Sequence, residues 1–238
     1  MGAIRTRDRP PNGRASADEN AALIAEHLEA AGDQRAAYAW HMRAATWATN
    51  RDIAAARLSW ERATRIADAL AADDPGRAAL RIAPRTMLCG SAFRVHISVA
   101  SDRFDELRQL CTAAGDNASL AIATAGLVMD HVWQDRMREA PRLASEAWAL
   151  VESVGDSTLT VGLSVPVLYA KLECAEWPDV LRWSQTVIEL ADGDPSKGDF
   201  IFGSQVWLRL HGRTLHWIGP SCPTSPRSAH RSRPRRTR

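Results

Sequence analysis

Apolar residues along most of the chain recur every three or four positions, which is the spacing of one face of an α-helix. About ten such stretches follow one another, separated by short turns rich in Gly, Asp, Asn and Pro. The predicted helices lie near residues 17–31, 34–49, 53–71, 76–95, 102–114, 118–133, 137–154, 158–175, 178–191 and 200–217. The pattern therefore predicts an all-α fold, in which about ten helices form antiparallel pairs joined by short turns.

Two of the predicted helices contain an internal proline. Pro84 is expected to kink the fourth helix or split it in two, because proline lacks the N–H group that a helix interior needs. The eighth stretch contains Pro166 and begins with β-branched residues, a composition that could also indicate a strand. A helix is preferred there because the flanking stretches are helical and the apolar positions continue to Leu172.

The clearest pattern lies between residues 40 and 63, where aromatic and small residues occupy matching positions on two adjacent helices. Trp40 and Trp47 are seven residues apart on the first helix, and Ala56, Trp60 and Ala63 are four and three apart on the second. Each of these spacings returns to the same side of a helix. We therefore expect these five residues to pack the two helices together, with the tryptophan rings in the core rather than on a ligand.

The spacing of four then three recurs on later helices, at irregular intervals of about 40 residues. One set, formed by Phe104, Arg108 and Cys111, has a charge in its middle position. The other sets are Ala140, Ala144 and Ala147, and then Val180, Ser184 and Val187. This pattern is typical of degenerate helical repeats, in which stacking of neighbouring helix pairs supplies the core.

The residues at positions 40, 47, 56, 60 and 63 resemble the tetratricopeptide repeat. That family has two aromatic residues seven apart on its first helix, and Ala, an aromatic residue and Ala on its second helix at the spacing seen here. Ala44 stands where the family often has Gly. The resemblance implies an array of antiparallel helix pairs between residues 17 and 218. The other repeats match the family only on the second helix of each pair.

Residues 21–204 also resemble the helical-repeat region of bacterial signalling ATPases of the STAND class. The segments LIAEHLEAAGD, AAYAWHMRAATWA and AAARLSWERA carry this resemblance. In mycobacterial members a class III adenylate cyclase domain and a P-loop ATPase precede the repeats, and other members carry a LuxR-type DNA-binding domain. The sequence contains no GxxxxGKS/T motif. The resemblance thus implies a repeat region whose partner is a protein, or an ATPase or cyclase module that this chain lacks.

The two ends of the chain differ in charge from the rest. Residues 1–16 carry a net charge of +3 and residues 219–238 carry +6, which leaves −7 for residues 17–218 of a chain that totals +2. Both ends are rich in Arg and Pro, the tail also in Ser, and both are poor in apolar residues, so we expect them to be disordered. The composition of the tail also resembles a GC-rich gene read out of frame, which would make the chain a truncated or frame-shifted relative.

No group of residues has the spacing of a catalytic or metal site. Glu26 and His27 are adjacent, so their side chains diverge by about 100° on a helix, and His41 lies on the next helix. A packing role for His27 at the seam between the helices is preferred. His211 and His216 are five apart, which a helix does not place on one face. We therefore predict no catalytic residue, no bound metal and no cofactor.

The remaining features indicate a cytoplasmic protein. The four cysteines form no CxxC pair, which favours free thiols in a reducing compartment, and no apolar run approaches the roughly 20 residues that span a membrane. The sequence predicts a non-catalytic helical-repeat scaffold for protein interaction or regulation. One alternative is an adenylate cyclase or an ATP-binding transcriptional regulator, by kinship with the STAND family. The other is nucleic-acid binding through the basic tail, which is disfavoured because the tail has no specific recognition motif.

Overall fold

The computed structural model describes residues 17–95, 101–194 and 196–198. Over these residues the chain forms nine α-helices and one short 3-10 helix, with no strand. The α-helices are α1 (Ala21–Ala30), α2 (Gln34–Ala48), α3 (Ile53–Ala69), α4 (Arg77–Gly90), α5 (Ser101–Ala114), α6 (Asn117–Trp133), α7 (Ala140–Val154), α8 (Ser157–Glu173) and α9 (Trp177–Ala191); the 3-10 helix is Ala92–Val95. The all-α prediction is confirmed for this part of the chain. The helix predicted at 200–217, the histidines predicted on it and both terminal segments lie outside the described residues.

The helices pack in the order in which they follow one another along the chain. The pairs α2–α3, α4–α5, α6–α7 and α8–α9 each pack together, and α1 packs on α2. Neighbouring pairs are joined through α3 with α4 and through α7 with α8. In addition α4 contacts α6, and α6 contacts α8, so the first helices of successive pairs form one layer. The described residues therefore form an array of stacked helical hairpins.

Three of the turns between helices use the same Gly–Asp pair. The glycine ends one helix with a φ between 68° and 82°, a conformation that costs Gly little because it has no Cβ. The aspartate carboxylate then accepts a backbone N–H two or three residues ahead, which caps the next helix. The pairs are Gly32–Asp33, Gly115–Asp116 and Gly155–Asp156.

Both internal prolines lie within continuous helices, so the predicted split at Pro84 does not occur. Pro84 has no N–H to donate to the carbonyl of Leu80, four residues earlier. The hydroxyl of Tyr38 on α2 donates to that carbonyl instead, at 3.1 Å. A contact between helices thus supplies the hydrogen bond that α4 cannot make by itself. The stretch around Pro166 is α8, which confirms the helix and excludes the alternative strand.

Two glycines allow α4 and α6 to approach each other closely. A Cβ built on Gly126 of α6 would lie 2.5 Å from the Cα of Gly90 and 2.6 Å from the carbonyl oxygen of Cys89, both at the end of α4. Real Cβ atoms do not come so close to backbone atoms. The contact between these first helices of successive pairs therefore requires Gly at position 126.

Candidate functional site

The residues predicted to pack from α3 lie in the core between α2, α3 and α4. Ala56, Trp60 and Ala63 are all buried, and the Trp60 side chain is 1% exposed. Trp60 belongs to a cluster with Ala45 of α2 and Leu88 of α4. A wide ring thus fills the space that small residues leave on the facing helix, as expected for close packing.

Trp40 and Trp47 of α2 lie at the edge of the core rather than in its centre, which differs from the prediction. Both rings are half-buried. The guanidinium carbon of Arg43 lies 4.7 Å from the centroid of Trp40, and that of Arg51 lies 4.6 Å from the centroid of Trp47. In each case the arginine makes a cation–π contact with the solvent-facing side of the tryptophan ring. The buried side of α2 consists of Ala37, Tyr38, His41, Ala44, Ala45 and Ala48.

The predicted packing residues of α7 and α9 are buried as well. A stacked ring pair that the sequence reasoning did not identify lies beside them, with the centroids of Trp148 and Trp183 4.7 Å apart. Trp183 is three residues after Val180 and four before Val187, so helical spacing from these predicted positions could have found it. The buried predicted residues are Ala140, Ala144, Ala147, Val180, Ser184 and Val187.

A buried lysine joins α8 to α9. The Lys171 side chain is 4% exposed, and its Nζ forms ion pairs with Glu176 and with Asp179, the latter at 3.1 Å. The same Nζ lies 5.3 Å from the centroid of Trp183. The hydrogen bond from Lys171 holds the pKa of the Asp179 carboxyl below its usual range. Because the charge of Lys171 is already compensated by two carboxylates, its role is to hold the hairpin together.

An ionic network joins α3, α4 and α5. Arg81 and Arg85 each contact both Asp68 and Glu106, at 2.7–3.0 Å. Arg85 and Glu106 border a cleft of about 310 Å³ that Cys89 also lines. Burial raises the pKa of the Cys89 thiol to about 11, so the thiol is protonated at neutral pH and is a poor nucleophile.

A second cavity, of about 140 Å³, lies over α2 between α1 and α3. Its apolar wall is built from small residues of all three helices, together with Trp47 and Leu58. Its charged residues are Asp18 and Glu19, which precede α1, Glu26 on α1, and Arg62 on α3. His41 of α2 also lines the cavity. The cavity is partly open to solvent and is bordered by more acidic than basic groups.

His41 is the most buried polar residue of this cavity, with its side chain 1% exposed. Its Nε2 lies 3.2 Å from Glu29 Oε2 of α1, and its buried Nδ1 has no hydrogen-bond partner among the described residues. Burial lowers the pKa of His41, and this effect outweighs the opposing effect of Glu29. A neutral ring that donates Nε2–H to the Glu29 carboxylate carries a lone pair on Nδ1.

Of the other candidates from the sequence, Glu26 forms an ion pair between helices and His27 lies on the surface. Glu26 pairs with Arg62, and the guanidinium holds the pKa of Glu26 below its usual range. His27 is exposed, so the expected packing role is wrong. Among the residues described, no three or more His, Cys, Asp or Glu side chains are placed to hold a metal ion. No helix of the described part is both long and apolar enough to cross a membrane.

A scan against protein-family models finds no matching family, and a search of curated proteins finds no match either. The resemblance to tetratricopeptide repeats, which rests on residues 40–63, and the resemblance to STAND repeat regions, which rests on three segments between residues 23 and 63, therefore both stay predictions.

We expect the free energy of unfolding to fall as the pH drops below about 6.5, the ordinary pKa of histidine. The folded chain lowers the pKa of His41, so the unfolded chain binds the proton first as the pH falls. Stability from this group is complete above the unfolded pKa and is lost as the pH falls toward the folded value. The charged groups that face the ring are Glu29, Glu26 and Arg62.

Urea denaturation at pH 7.5, 6.5 and 5.5 measures this loss. A His41→Gln variant should show a shallower fall in stability over this range than the unsubstituted chain. His27→Gln is the matched control, because His27 is exposed, and it should keep the original pH dependence. Equal slopes for the His41→Gln and His27→Gln variants would contradict the assignment.

Proposed function

We propose that this chain is a non-catalytic helical-repeat scaffold that binds a protein partner. The observation that supports the proposal is an exposed apolar stripe on α9, formed by Trp177, Leu181 and Ile188. These side chains are 44%, 44% and 51% exposed. They are four and seven residues apart, so they lie along one side of the helix. Exposed apolar residues that adjoin one another in this way mark interaction surfaces more often than isolated ones do.

A helix of the partner is the occupant that suits this stripe. The stripe is continuous with the buried side of α9, where Val180, Ser184 and Val187 pack in the array. Earlier in the array, each helix pair is covered by a helix of the next pair, as α3 is by α4 and α7 by α8. A partner helix on α9 would repeat this helix-on-helix interface, with apolar anchors at the usual spacing.

The resemblance to STAND repeat regions suggests which protein this partner is. We propose a nucleotide-binding ATPase or cyclase module in the cytoplasm. Several titratable groups with shifted pKa values hold helices together: Asp179 links α8 to α9, Asp68 links α3 to α4, and Glu26 links α1 to α3. This use of charged groups supports a scaffold rather than an enzyme.

The test begins with a photo-cross-linking residue placed at position 181 of the full chain in its own cells, and at position 23 as a control. Leu23 is 53% exposed on α1, far along the array from α9. We expect cross-linking from position 181 to capture one defined protein, which is then identified and purified. The Leu181→Glu variant should bind it about tenfold more weakly, the loss that corresponds to about 1.4 kcal/mol. The Leu23→Glu variant should bind it as the unsubstituted chain does.

Equal affinity of both variants for the purified partner would contradict the proposed interface. The catalytic alternative is tested separately, by incubating the purified chain with ATP and Mg²⁺ or Mn²⁺. The scaffold proposal expects no cyclic AMP and no hydrolysis. Turnover of ATP by the pure chain would overturn it.

A further inference from the structure

The cleft between α3, α4 and α5 has an excess of positive charge. Its guanidinium groups come from three helices: Arg65 of α3, Arg85 of α4 and Arg103 of α5. Arg85 contacts the carboxylates of Asp68 and Glu106, so its charge is compensated. Arg65 and Arg103 are exposed and form no ion pair within the described part of the chain. Two walls of the cleft therefore each carry a positive charge that no fixed carboxylate holds.

A buried arginine beside the cleft adds to this charge. Arg57 of α3 is 9% exposed, and its Nη1 donates to the carbonyl of Leu88 at 2.7 Å and to Ser91 Oγ at 3.0 Å. Both acceptors are neutral. Burial lowers the pKa of Arg57, and the carboxylate of Glu61, one turn further along α3, opposes this effect. A buried charge is costly unless it is closely paired, so an anion in the adjacent cleft would reduce that cost.

The field of these arginines is felt at the wall of the cleft. Cys89 lines the cleft, and the rise that burial causes in the pKa of its thiol, to about 11, is opposed by Arg57, Arg103 and Arg85. Charges in such partly buried places are screened less than charges on the open surface. Five guanidinium groups and three carboxylates line the cleft or contact its lining, which leaves a net charge of +2 within a body whose net charge is −7. They are Arg57, Arg65, Arg81, Arg85, Arg103, Glu61, Asp68 and Glu106.

The size and lining of the cleft suit a small molecule with a doubly charged head. Its volume of about 310 Å³ lies at the lower end of the range for small-molecule sites, about 300–1,000 Å³. Between the charged groups its wall is formed by Thr64, Leu88 and Cys89. A phosphate monoester carries a charge of about −1.5 to −2 at pH 7, which matches the net charge better than a single carboxylate does. Guanidinium groups also bind phosphate oxygens in a bidentate manner.

We propose that this cleft binds a small organic phosphate, with the phosphate group between Arg65 and Arg103 and the organic part against Leu88. The buried charge of Arg57 attracts the phosphate at longer range. Such a ligand would join α3 to α5, and thereby connect two successive helix pairs of the array. The inference adds a small-molecule site to the proposed scaffold and does not depend on the partner proposed for α9.

Three probes test the cleft in the pure chain: phenyl phosphate, benzoate and inorganic phosphate. Each is titrated into the full chain at pH 7.5 and constant ionic strength, while the ¹³Cβ resonances of labelled cysteines are followed by NMR. The variants Cys89→Ala and Cys174→Ala assign the two resonances that matter. We expect phenyl phosphate to shift the Cys89 resonance saturably, with a Kd below about 1 mM. Cys174, which follows α8 and lies outside the cleft, should not shift.

The other two probes separate the parts of the ligand. Benzoate has the same ring but a single charge, and inorganic phosphate has the charge but no apolar part. Each should bind at least about threefold more weakly than phenyl phosphate, given the modest energies of one further ion pair and of a little buried apolar area.

Variants of exposed residues then locate the site. Arg65→Gln and Arg103→Gln should each weaken phenyl phosphate by about two- to fivefold, the scale of an exposed ion pair. Glu61→Gln should strengthen it by a similar factor, because it removes a negative charge from the cleft. General damage to the fold would not produce these opposite signs. Arg142→Gln is the matched control, since Arg142 is exposed on α7 and lies outside the cleft, and it should change nothing.

A Cys89 resonance that does not shift, or shifts no more than that of Cys174, would overturn the inference. Equal binding of phenyl phosphate and benzoate would overturn it as well, and so would an unchanged affinity after Arg65 and Arg103 are both replaced by Gln. Inorganic phosphate that bound as tightly as phenyl phosphate would exclude an organic ligand. Since no partner protein is present, these failures would concern the cleft alone, and the interface on α9 is judged by its own cross-linking experiment.

Discussion

Replacing Trp60 with Ala is expected to lower the free energy of unfolding by about 3–5 kcal/mol, the cost of removing a large buried aromatic side chain. The ring is 1% exposed and contributes to the core shared by α2, α3 and α4. Its neighbours include Ala45, Ala48 and Ala56. Alanines have no spare atoms with which to fill the space that the ring would leave, so a cavity should remain.

Chemical denaturation of the full chain measures this loss. The control is Trp133→Ala, since Trp133 lies at the end of α6 and is 58% exposed, and its removal should cost about 1 kcal/mol or less. The scaffold proposal assigns Trp60 to packing alone. A Trp60→Ala variant that kept its stability but lost binding of a ligand would therefore place this ring in a binding site and contradict the packing role.

Replacing Gly126 with Ala is expected to destabilise the chain by about 1–3 kcal/mol, the usual cost of overpacking. The added Cβ would meet the Cα of Gly90 at 2.5 Å and the carbonyl oxygen of Cys89 at 2.6 Å. Both atoms belong to the backbone of α4, so the two helices must move apart. The sign of this change in the free energy of unfolding is informative, because Ala in place of Gly inside an unobstructed helix stabilises by about 1 kcal/mol.

The other glycine of the same contact provides the matched control. A Cβ on Gly90 would have as its nearest neighbour the Cγ2 atom of Ile122, at 3.2 Å, and that side chain can shift. Gly90→Ala should therefore change the free energy of unfolding by about 1 kcal/mol or less in either direction. If Gly126→Ala proved as stable as Gly90→Ala, the close approach of α4 and α6 would be wrong.

The positions of the helices were largely predictable, because they depend on local features. The Gly–Asp pairs at 32–33, 115–116 and 155–156 end one helix and cap the next through contacts within a few residues. Apolar spacing also identified α8 in spite of Pro166. Of the kink or split expected at Pro84, the split does not occur. Local rules count only the lost hydrogen bond within α4. The Tyr38 hydroxyl, which lies more than forty residues away in sequence, supplies a replacement.

The polar clusters were much less predictable. Lys171 carries no signal in the sequence, because the acidic groups that compensate its charge and the ring beside it become neighbours only when α9 folds back on α8. The pairing of His41 with Glu29 was missed for the same reason. Glu26 and His27 are adjacent in the sequence and therefore suggested a pair, whereas His41 and Glu29 lie on different helices. The sequence alone does not distinguish a charged residue that becomes buried from one of the same type that stays exposed.

The sequence by itself determined that this chain is helical, where its turns lie, and that small residues and tryptophan alternate at helix seams. These properties follow from backbone propensity and from periodic burial, which act over one or two helical turns. The tertiary structure alone decided which side of α2 faces the core, and placed Trp40 and Trp47 at its edge, because α1 and α3 approach α2 from two directions. It also decided where charge is buried and left one nitrogen of His41 without a donor, since such contacts depend on how three helices meet in space.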